Sequence, residues 1–178
     1  MRRYMSDPRY PIGKFQPKPK IDESERNEAI RNIAETPSKL KAAINGLTEV
    51  QLDTPYRDSG WTVRQVAHHM ADSHMNSYVR LRLALTESEP TIKPYEEQLW
   101  AELYDARTAP VAPSVQLLES LHERWVMLLR SLKPSDFSRT FRHPENGVRD
   151  IDWLLQLYSW HGRHHVAHIT SLRQRMGW

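Results

Sequence analysis

The sequence predicts an all-α protein, a four-helix bundle that is preceded by an extended N-terminal arm. Four long stretches repeat apolar residues at intervals of three and four, the pattern of one helical face. The connections between these stretches are mostly polar, and only 6 of the 178 residues are Gly, which argues against a turn-rich all-β chain. We therefore expect residues 1–21 to form the arm and residues 22–178 to form the bundle.

The arm is indicated by its prolines, which cannot lie inside a regular helix. The four prolines of this segment are Pro8, Pro11, Pro17 and Pro19. Its apolar side chains, which give it enough surface to lie against the bundle, are Tyr4, Tyr10, Ile12 and Phe15.

The first two long helices have recognisable boundaries. The first is predicted over residues 22–47, with a kink or a division into two helices at Pro37. The second begins after Thr62, because Thr62 and Gln65 fit a capping box, and it continues to about Leu85.

The second half of the chain contains two more long helices. A short helix is predicted over residues 95–106, and the third long helix is marked by apolar residues between positions 115 and 132. Asn146 and Gly147 can close a small hairpin, and the last helix begins near Asp150 and continues to about position 176. Up-down-up-down is the simplest order, but the connections after the second and third long helices are long enough to cross the bundle.

Composition excludes several classes of protein. The chain has no Cys, which excludes disulfides, Cys-based zinc sites, iron–sulfur clusters and a cysteine nucleophile. Its 25 Lys and Arg exceed its 22 Asp and Glu by little, and the two signs are mixed after the first twenty positions, so we expect no nucleic-acid partner.

No apolar run approaches the ~18 residues of a membrane span, and the N-terminus lacks the apolar segment of a signal peptide. We expect a cytoplasmic protein without a membrane partner.

The informative chemistry lies in the 9 histidines, four of which occur in the segment WHGRHHVAHI. His161, His165 and His168 share the predicted buried face of the last helix with Leu154 and Leu172. One buried histidine is usually satisfied by a hydrogen bond, but three on one apolar face are costly unless hydrogen bonds or a metal organise them. The spacing of His161 and His165 lets two imidazoles reach one ion, although this spacing alone is only moderately specific.

The second long helix offers further histidines. His74 points to the centre of its apolar face, whereas His69 and His68 lie on opposite flanks. Since a bundle helix contacts two neighbours, a flank position can still reach the interior. Periodicity alone ranks His74 slightly above His69 as a partner for the last helix.

Two segments, GWTVRQVAHHMADSHMNSY and YSWHGRHHVAHITSLRQRMGW, resemble the DinB/YfiT-like family. The segments YPIGKFQP and QLDTPYRDSGW resemble its YfiT branch, and the similarity extends from about Tyr10 to Trp178. This resemblance implies a four-helix bundle that holds one divalent metal per chain, zinc or nickel, through three histidines.

The resemblance also implies which histidines these are. The family's first ligand lies eight residues after the Trp that opens the second long helix, and counting from Trp61 gives His69. The other two form a His-x-x-x-His pair with an Ile four residues beyond the second, and Ile169 identifies that pair as His161 and His165. The resemblance therefore favours His69 over His74.

The remaining polar residues receive separate predictions. Asp72 is placed to orient a ligand imidazole, because a metal-bound His usually gives its other N–H to a carboxylate or carbonyl. His168 either contacts a water bound at the site or packs in the core. We expect His68 and His164 to lie at the surface or support the site, and His74 to be a polar core group near it. His122 is expected to pack, and His143 lies in a loop.

Three functions are compatible with these residues. Three neutral imidazoles leave one or more coordination positions open, the arrangement of catalytic zinc. The resemblance implies a thiol S-transferase that uses a small thiol co-substrate, with bacillithiol as the expected thiol. Arg57, Arg64 and Arg80 could meet its carboxylates, or they are ordinary solvated charges.

The other two hypotheses are a hydrolase that uses metal-bound water and a non-catalytic binding protein stabilised by its metal. Asp72 and His168 are the candidate bases for hydrolysis, and no H-E-x-x-H motif is present. Under either enzymatic hypothesis the partner is a small-molecule substrate, and the resemblance implies a homodimer.

Overall fold

A computed structural model describes residues 7–178, and four long helices form a bundle as the sequence predicts. Residues 1–6, with Tyr4 of the predicted arm, lie outside the described residues. In chain order the elements are α1 (Glu23–Ile44), α2 (Glu49–Leu52), α3 (Val63–Thr86), α4 (Glu97–Trp100), α5 (Tyr104–Thr108), α6 (Ala112–Ser131), a 3₁₀ turn (Asp136–Ser138), β1 (Thr140–His143), β2 (Gly147–Asp150) and α7 (Ile151–Met176).

The predicted helix starts are confirmed by their caps. The Thr62 hydroxyl accepts the backbone N–H of Gln65 at 3.1 Å, and the Gln65 side chain accepts the N–H of Thr62 at 2.9 Å. Asp22 forms a second capping box at the start of α1. The Asp150 carboxylate accepts a backbone N–H in the first turn of α7. These bonds satisfy amide donors that have no partner within the helix.

Three boundary predictions need correction. Of the two alternatives at Pro37, the structure excludes the division, because α1 continues through Pro37 as one helix; it ends at Ile44 rather than at position 47. Gly46, with φ +75°, follows that end in a left-handed conformation that stops a helix. The predicted helix over residues 95–106 is two short helices, α4 and α5. The predicted hairpin is confirmed, with His143 opposite Gly147.

The order of the helices in the bundle differs from the simple up-down-up-down arrangement. Each of α1 and α3 packs against both α6 and α7, so α1 and α3 occupy opposite corners and so do α6 and α7. The connections after α1 and after α6 therefore cross the bundle. The connection after α3 is also long enough to cross, but it joins neighbouring helices, because α4 and α5 within it pack back against α3.

Two contacts position α7, which carries most of the histidines. Gly162 faces Thr36 of α1, and a Cβ at position 162 would lie 2.4 Å from the Thr36 hydroxyl oxygen, so only glycine permits this close approach. The arm packs on the other side, where Phe15 lies 5.8 Å from the Trp160 ring and Trp160 Nε1 donates to the Gly13 carbonyl. Among the described residues, no helix has the length and apolar character needed to cross a membrane.

Candidate metal centre

The structure brings together the three histidines that the family resemblance indicates. His161 and His165 are one turn apart on α7, with ring centroids 4.4 Å apart, and His69 faces them from α3. The Nε2 atoms of His69 and His161 are 3.3 Å apart, and each of the three residues offers a ring nitrogen within 4.8 Å of the others. We call His69, His161 and His165 the triad.

The chemistry of the triad suits a divalent cation. Burial lowers the pKa of His69 to about 4 and also lowers the pKa values of His161 and His165, so the imidazoles are neutral at neutral pH, the form that binds metals. Two nitrogens bound tetrahedrally to one zinc at ~2.0–2.1 Å would lie about 3.3 Å apart. The separation of the two Nε2 atoms matches this value.

His74 is not part of the triad but contacts it from the core. Its Nε2 lies 3.1 Å from Nδ1 of His161, and its Nδ1 lies 2.8 Å from Nε2 of His122. Nδ1 of His122 lies 2.6 Å from the carbonyl oxygen of Ile33. Periodicity correctly placed His74 in the core near the site. The expectation that His122 packs is confirmed by its burial against Trp125, and both of its ring nitrogens are hydrogen-bonded as well.

His168 contacts the triad from the other side. Its Nδ1 lies 3.3 Å from Nδ1 of His165, its Nε2 lies 3.2 Å from the carbonyl oxygen of Arg9, and its ring stacks on Tyr56. The predicted place of His168 beside the site therefore agrees with its contacts. The carbonyl of Arg9 belongs to the arm, so the arm closes one side of the site.

Asp72 lies away from the triad. It forms no hydrogen bond with a triad imidazole among residues 7–178, and the structure gives no support for an orienting role. Burial, with a further contribution from the charge of Asp105, raises the pKa of Asp72 to about 6.

His68 and His164 are both buried, which excludes the surface alternative and leaves the supporting one. The ring nitrogens of His68 lie 2.7 Å from the Ser114 hydroxyl and 3.2 Å from the Ala109 carbonyl oxygen, because the segment after α5 covers this side of α3. His164 stacks on Trp160 at 4.2 Å. An aromatic residue four positions earlier on the same helix is the sequence feature from which this contact could have been predicted.

A cavity of about 520 Å³ borders the triad. Its wall is aromatic and basic and includes Tyr10, Tyr56, Trp61, Arg57 and Arg80. Among residues 7–178, neither Arg57 nor Arg80 forms an ion pair with a carboxylate, so both guanidinium groups are available to an anionic ligand, and Glu97 is the acidic residue of the same wall.

Arg64, the third arginine considered from the sequence, does not line the cavity. Its guanidinium is buried between Asp53 and Glu49, and Nε donates to Asp53 at 2.7 Å. These ion pairs hold Arg64 as a structural residue beneath α2, so neither alternative considered from the sequence, a contact with the substrate or a solvated charge, describes it.

Comparison with known proteins identifies the family. Residues 32–169 match the family model of the DinB superfamily. The chain belongs to the DinB superfamily. This assignment confirms the resemblance that the histidine-bearing segments indicate.

Curated relatives within this DinB superfamily cover nearly the whole chain. A Bacillus mycoides protein named "Putative metal-dependent hydrolase" is 55% identical over 174 residues, which are 98% of this chain and 100% of the relative. A Bacillus cereus protein of the same name is 56% identical over the same shares of the two chains.

Solved structures confirm the fold of this DinB superfamily member. YfiT from Bacillus subtilis, described as a probable metal-dependent hydrolase with an unusual four-helix bundle topology, is 50% identical with a TM-score of 0.94. That alignment covers 96% of this chain and 98% of YfiT. The four-helix bundle protein TT2238 is 20% identical with a TM-score of 0.53, covering 79% of this chain and 94% of TT2238, and shares the fold.

Proposed function

We propose that this protein is a metal-dependent thiol S-transferase whose ligands for one divalent ion, zinc or nickel, are His69, His161 and His165. The observation that carries the proposal is the convergence of three neutral imidazoles beside a cavity of about 520 Å³. A divalent ion held by three histidines has an open position for a small molecule and lowers the pKa of a bound thiol or water.

The side chains around the cavity suit a small acidic thiol, for which the family resemblance implies bacillithiol. The guanidinium groups of Arg57 and Arg80 bind its carboxylates, and Tyr56 and Trp61 provide apolar walls. Tyr10 of the arm contributes a further aromatic ring to the cavity wall.

Hydrolysis is the second candidate, and the names of the relatives favour it. A hydrolase of this kind needs a general base beside the attacking water. Asp72 does not line the cavity, and both ring nitrogens of His168 already lie within hydrogen-bond distance of other groups. Because neither base considered from the sequence is free in the cavity, we place thiol transfer first. The same names count against a purely non-catalytic binding protein.

A fluorogenic transfer assay tests this proposal. The zinc-loaded or nickel-loaded protein is incubated with bacillithiol and monochlorobimane, and formation of the thioether with release of chloride and a proton is followed by fluorescence. We expect acceleration that is lost after treatment with a chelator and restored by adding the ion. Turnover of esters or amides without thiol, in the absence of such acceleration, would show that the second candidate is correct.

The basic wall of the cavity gives a separate prediction. We expect Arg57→Gln and Arg80→Gln each to raise the KM for bacillithiol about 10-fold with little change in kcat, because each loses a charge-assisted bond worth roughly 1.5 kcal/mol. Arg107→Gln is the matched control, since Arg107 is exposed and pairs with Glu102 outside the cavity. With an uncharged thiol such as 2-mercaptoethanol all three variants should resemble the wild type. An equal rise in KM for both thiols would contradict carboxylate recognition.

The family resemblance adds a homodimer to the proposal, and the composition of the sequence adds a cytoplasmic location. Sedimentation equilibrium of the metal-loaded protein tests the dimer, which requires a mass of twice 21.0 kDa.

A further inference from the structure

A proline in α1 creates an unusual acceptor beside the site. Pro37 has no backbone N–H, so the carbonyl of Ile33, four residues earlier, lacks its normal helical donor. Nδ1 of His122 lies 2.6 Å from that carbonyl oxygen. A carbonyl only accepts hydrogen bonds, so Nδ1 of His122 carries the proton and donates.

This donor fixes the direction of every bond that follows it. A neutral imidazole donates from one nitrogen and accepts with the other, so Nε2 of His122 accepts from Nδ1 of His74 at 2.8 Å. Nε2 of His74 in turn accepts from Nδ1 of His161 at 3.1 Å. His161 is left with its lone pair on Nε2, the atom that faces His69.

A second chain of bonds begins on the arm. The carbonyl of Arg9 accepts from Nε2 of His168 at 3.2 Å, so Nδ1 of His168 is an acceptor. Nδ1 of His165 lies 3.3 Å away and donates to it. His165 is therefore also a Nδ1–H tautomer with its lone pair on Nε2. The two chains end on backbone carbonyls of different segments but impose the same tautomer.

We propose that His122, His74 and His168 are positioning residues, which form two hydrogen-bonded relays that fix His161 and His165 as Nδ1–H tautomers and direct Nε2 of each towards a divalent ion. The inference rests on the metal site of the proposed function. It also links the ion to the arm, because docking of the Arg9 carbonyl and ion binding favour the same tautomer of His165.

The variant His122→Phe tests the longer relay with Co²⁺ as the probe. Phenylalanine retains a ring beside His74 and Trp125, but it neither donates to Ile33 nor accepts from His74. His122 touches no triad residue, so the ligands themselves are unchanged. We expect the Kd for Co²⁺ to rise by about 10–100-fold, the usual effect of removing a group that orients a metal-bound imidazole.

His68→Phe is the matched control. His68 on α3 is also buried and also makes two hydrogen bonds, but it belongs to neither relay. We expect its Kd for Co²⁺ to stay close to that of the wild type. An equal loss of affinity in both variants would show that the effect of His122→Phe is general loss of packing, which overturns the relay.

Nitrogen NMR of the wild type with labelled histidine provides a measurement that needs no substitution. In the metal-free protein we expect Nδ1–H tautomers at His74, His122, His161 and His165, and a Nε2–H tautomer at His168. A proton on Nε2 of His161 or on Nδ1 of His168 would overturn the proposal. Failure of the wild type to bind Co²⁺ would refute the proposed function, while the tautomers would still decide whether the relays exist.

Discussion

We expect His161→Ala to abolish stoichiometric binding of the divalent ion. Binding energies of about 10–16 kcal/mol shared among three or four ligands correspond to roughly 3–4 kcal/mol per ligand, or about 10²–10³-fold in affinity. His161 is also the residue in which one relay meets the triad, since its Nδ1 faces His74 and its Nε2 faces His69. Its loss removes one ligand of the ion and also the imidazole that donates to His74 at the end of the relay. Metal content after gel filtration, with metal-dependent activity, measures the effect.

Three further alanine variants sharpen this test. His143→Ala is the control, because His143 lies on the hairpin and accepts a backbone N–H from Glu145 rather than contacting the triad. It should retain the ion. His69→Ala should lose the ion as His161→Ala does. If His69→Ala keeps the ion whereas His74→Ala loses it, then the ligand on α3 is His74 and the assignment from the family resemblance is wrong.

The helices were predictable from sequence because their signals are local. The Thr62–Gln65 capping box and the Asp150 cap each lie within one turn of the helix they start. The arrangement of the helices was less accessible, since the length of the connection after α3 did not show that α4 and α5 would pack back on that helix. Loop length limits the possible topologies without choosing among them.

In the candidate site, too, local patterns were predictable from the sequence and long-range contacts were not. The family pattern indicated the triad, and periodicity placed His74 and His122 on buried faces. The relays depend on contacts between residues far apart in the chain, such as His168 with the Arg9 carbonyl. A backbone carbonyl carries no side-chain signature, so the sequence could not indicate it as a partner. Pro37 was the one local clue, because its missing N–H frees the carbonyl that His122 uses.

We expect the metal-free protein to unfold as the pH falls from 6.5 towards 4. Burial lowers the pKa values of His69, His122 and His168 from an ordinary value of 6.5 to about 4. Between these values the unfolded chain binds more protons than the folded one, so the free energy of unfolding decreases as the pH decreases. The contribution of these histidines to the free energy of unfolding is fully present above pH 6.5. It is lost as the pH falls towards their folded pKa values of about 4.

The expected size of the effect is large. Each pKa unit is worth about 1.36 kcal/mol, so one histidine shifted from 6.5 to about 4 contributes roughly 3 kcal/mol across the window. Three such groups approach the whole stability of a typical domain, about 5–15 kcal/mol. Urea unfolding followed by tryptophan fluorescence in the presence of a chelator, at several pH values, measures the slope.

A saturating divalent ion provides the contrast for this experiment. Because ion binding needs unprotonated imidazoles at the triad, the ion stabilises the folded state most at high pH and is released as protons compete for His69, His161 and His165. The metal-loaded protein should therefore be more stable than the metal-free protein at pH 7, and the two curves should converge on acidification. A free energy of unfolding that stays constant between pH 6.5 and 4.5 in the metal-free protein would mean that these histidines are hydrated and take up protons in the folded state as they do in the unfolded chain, and the buried neutral network would then be wrong.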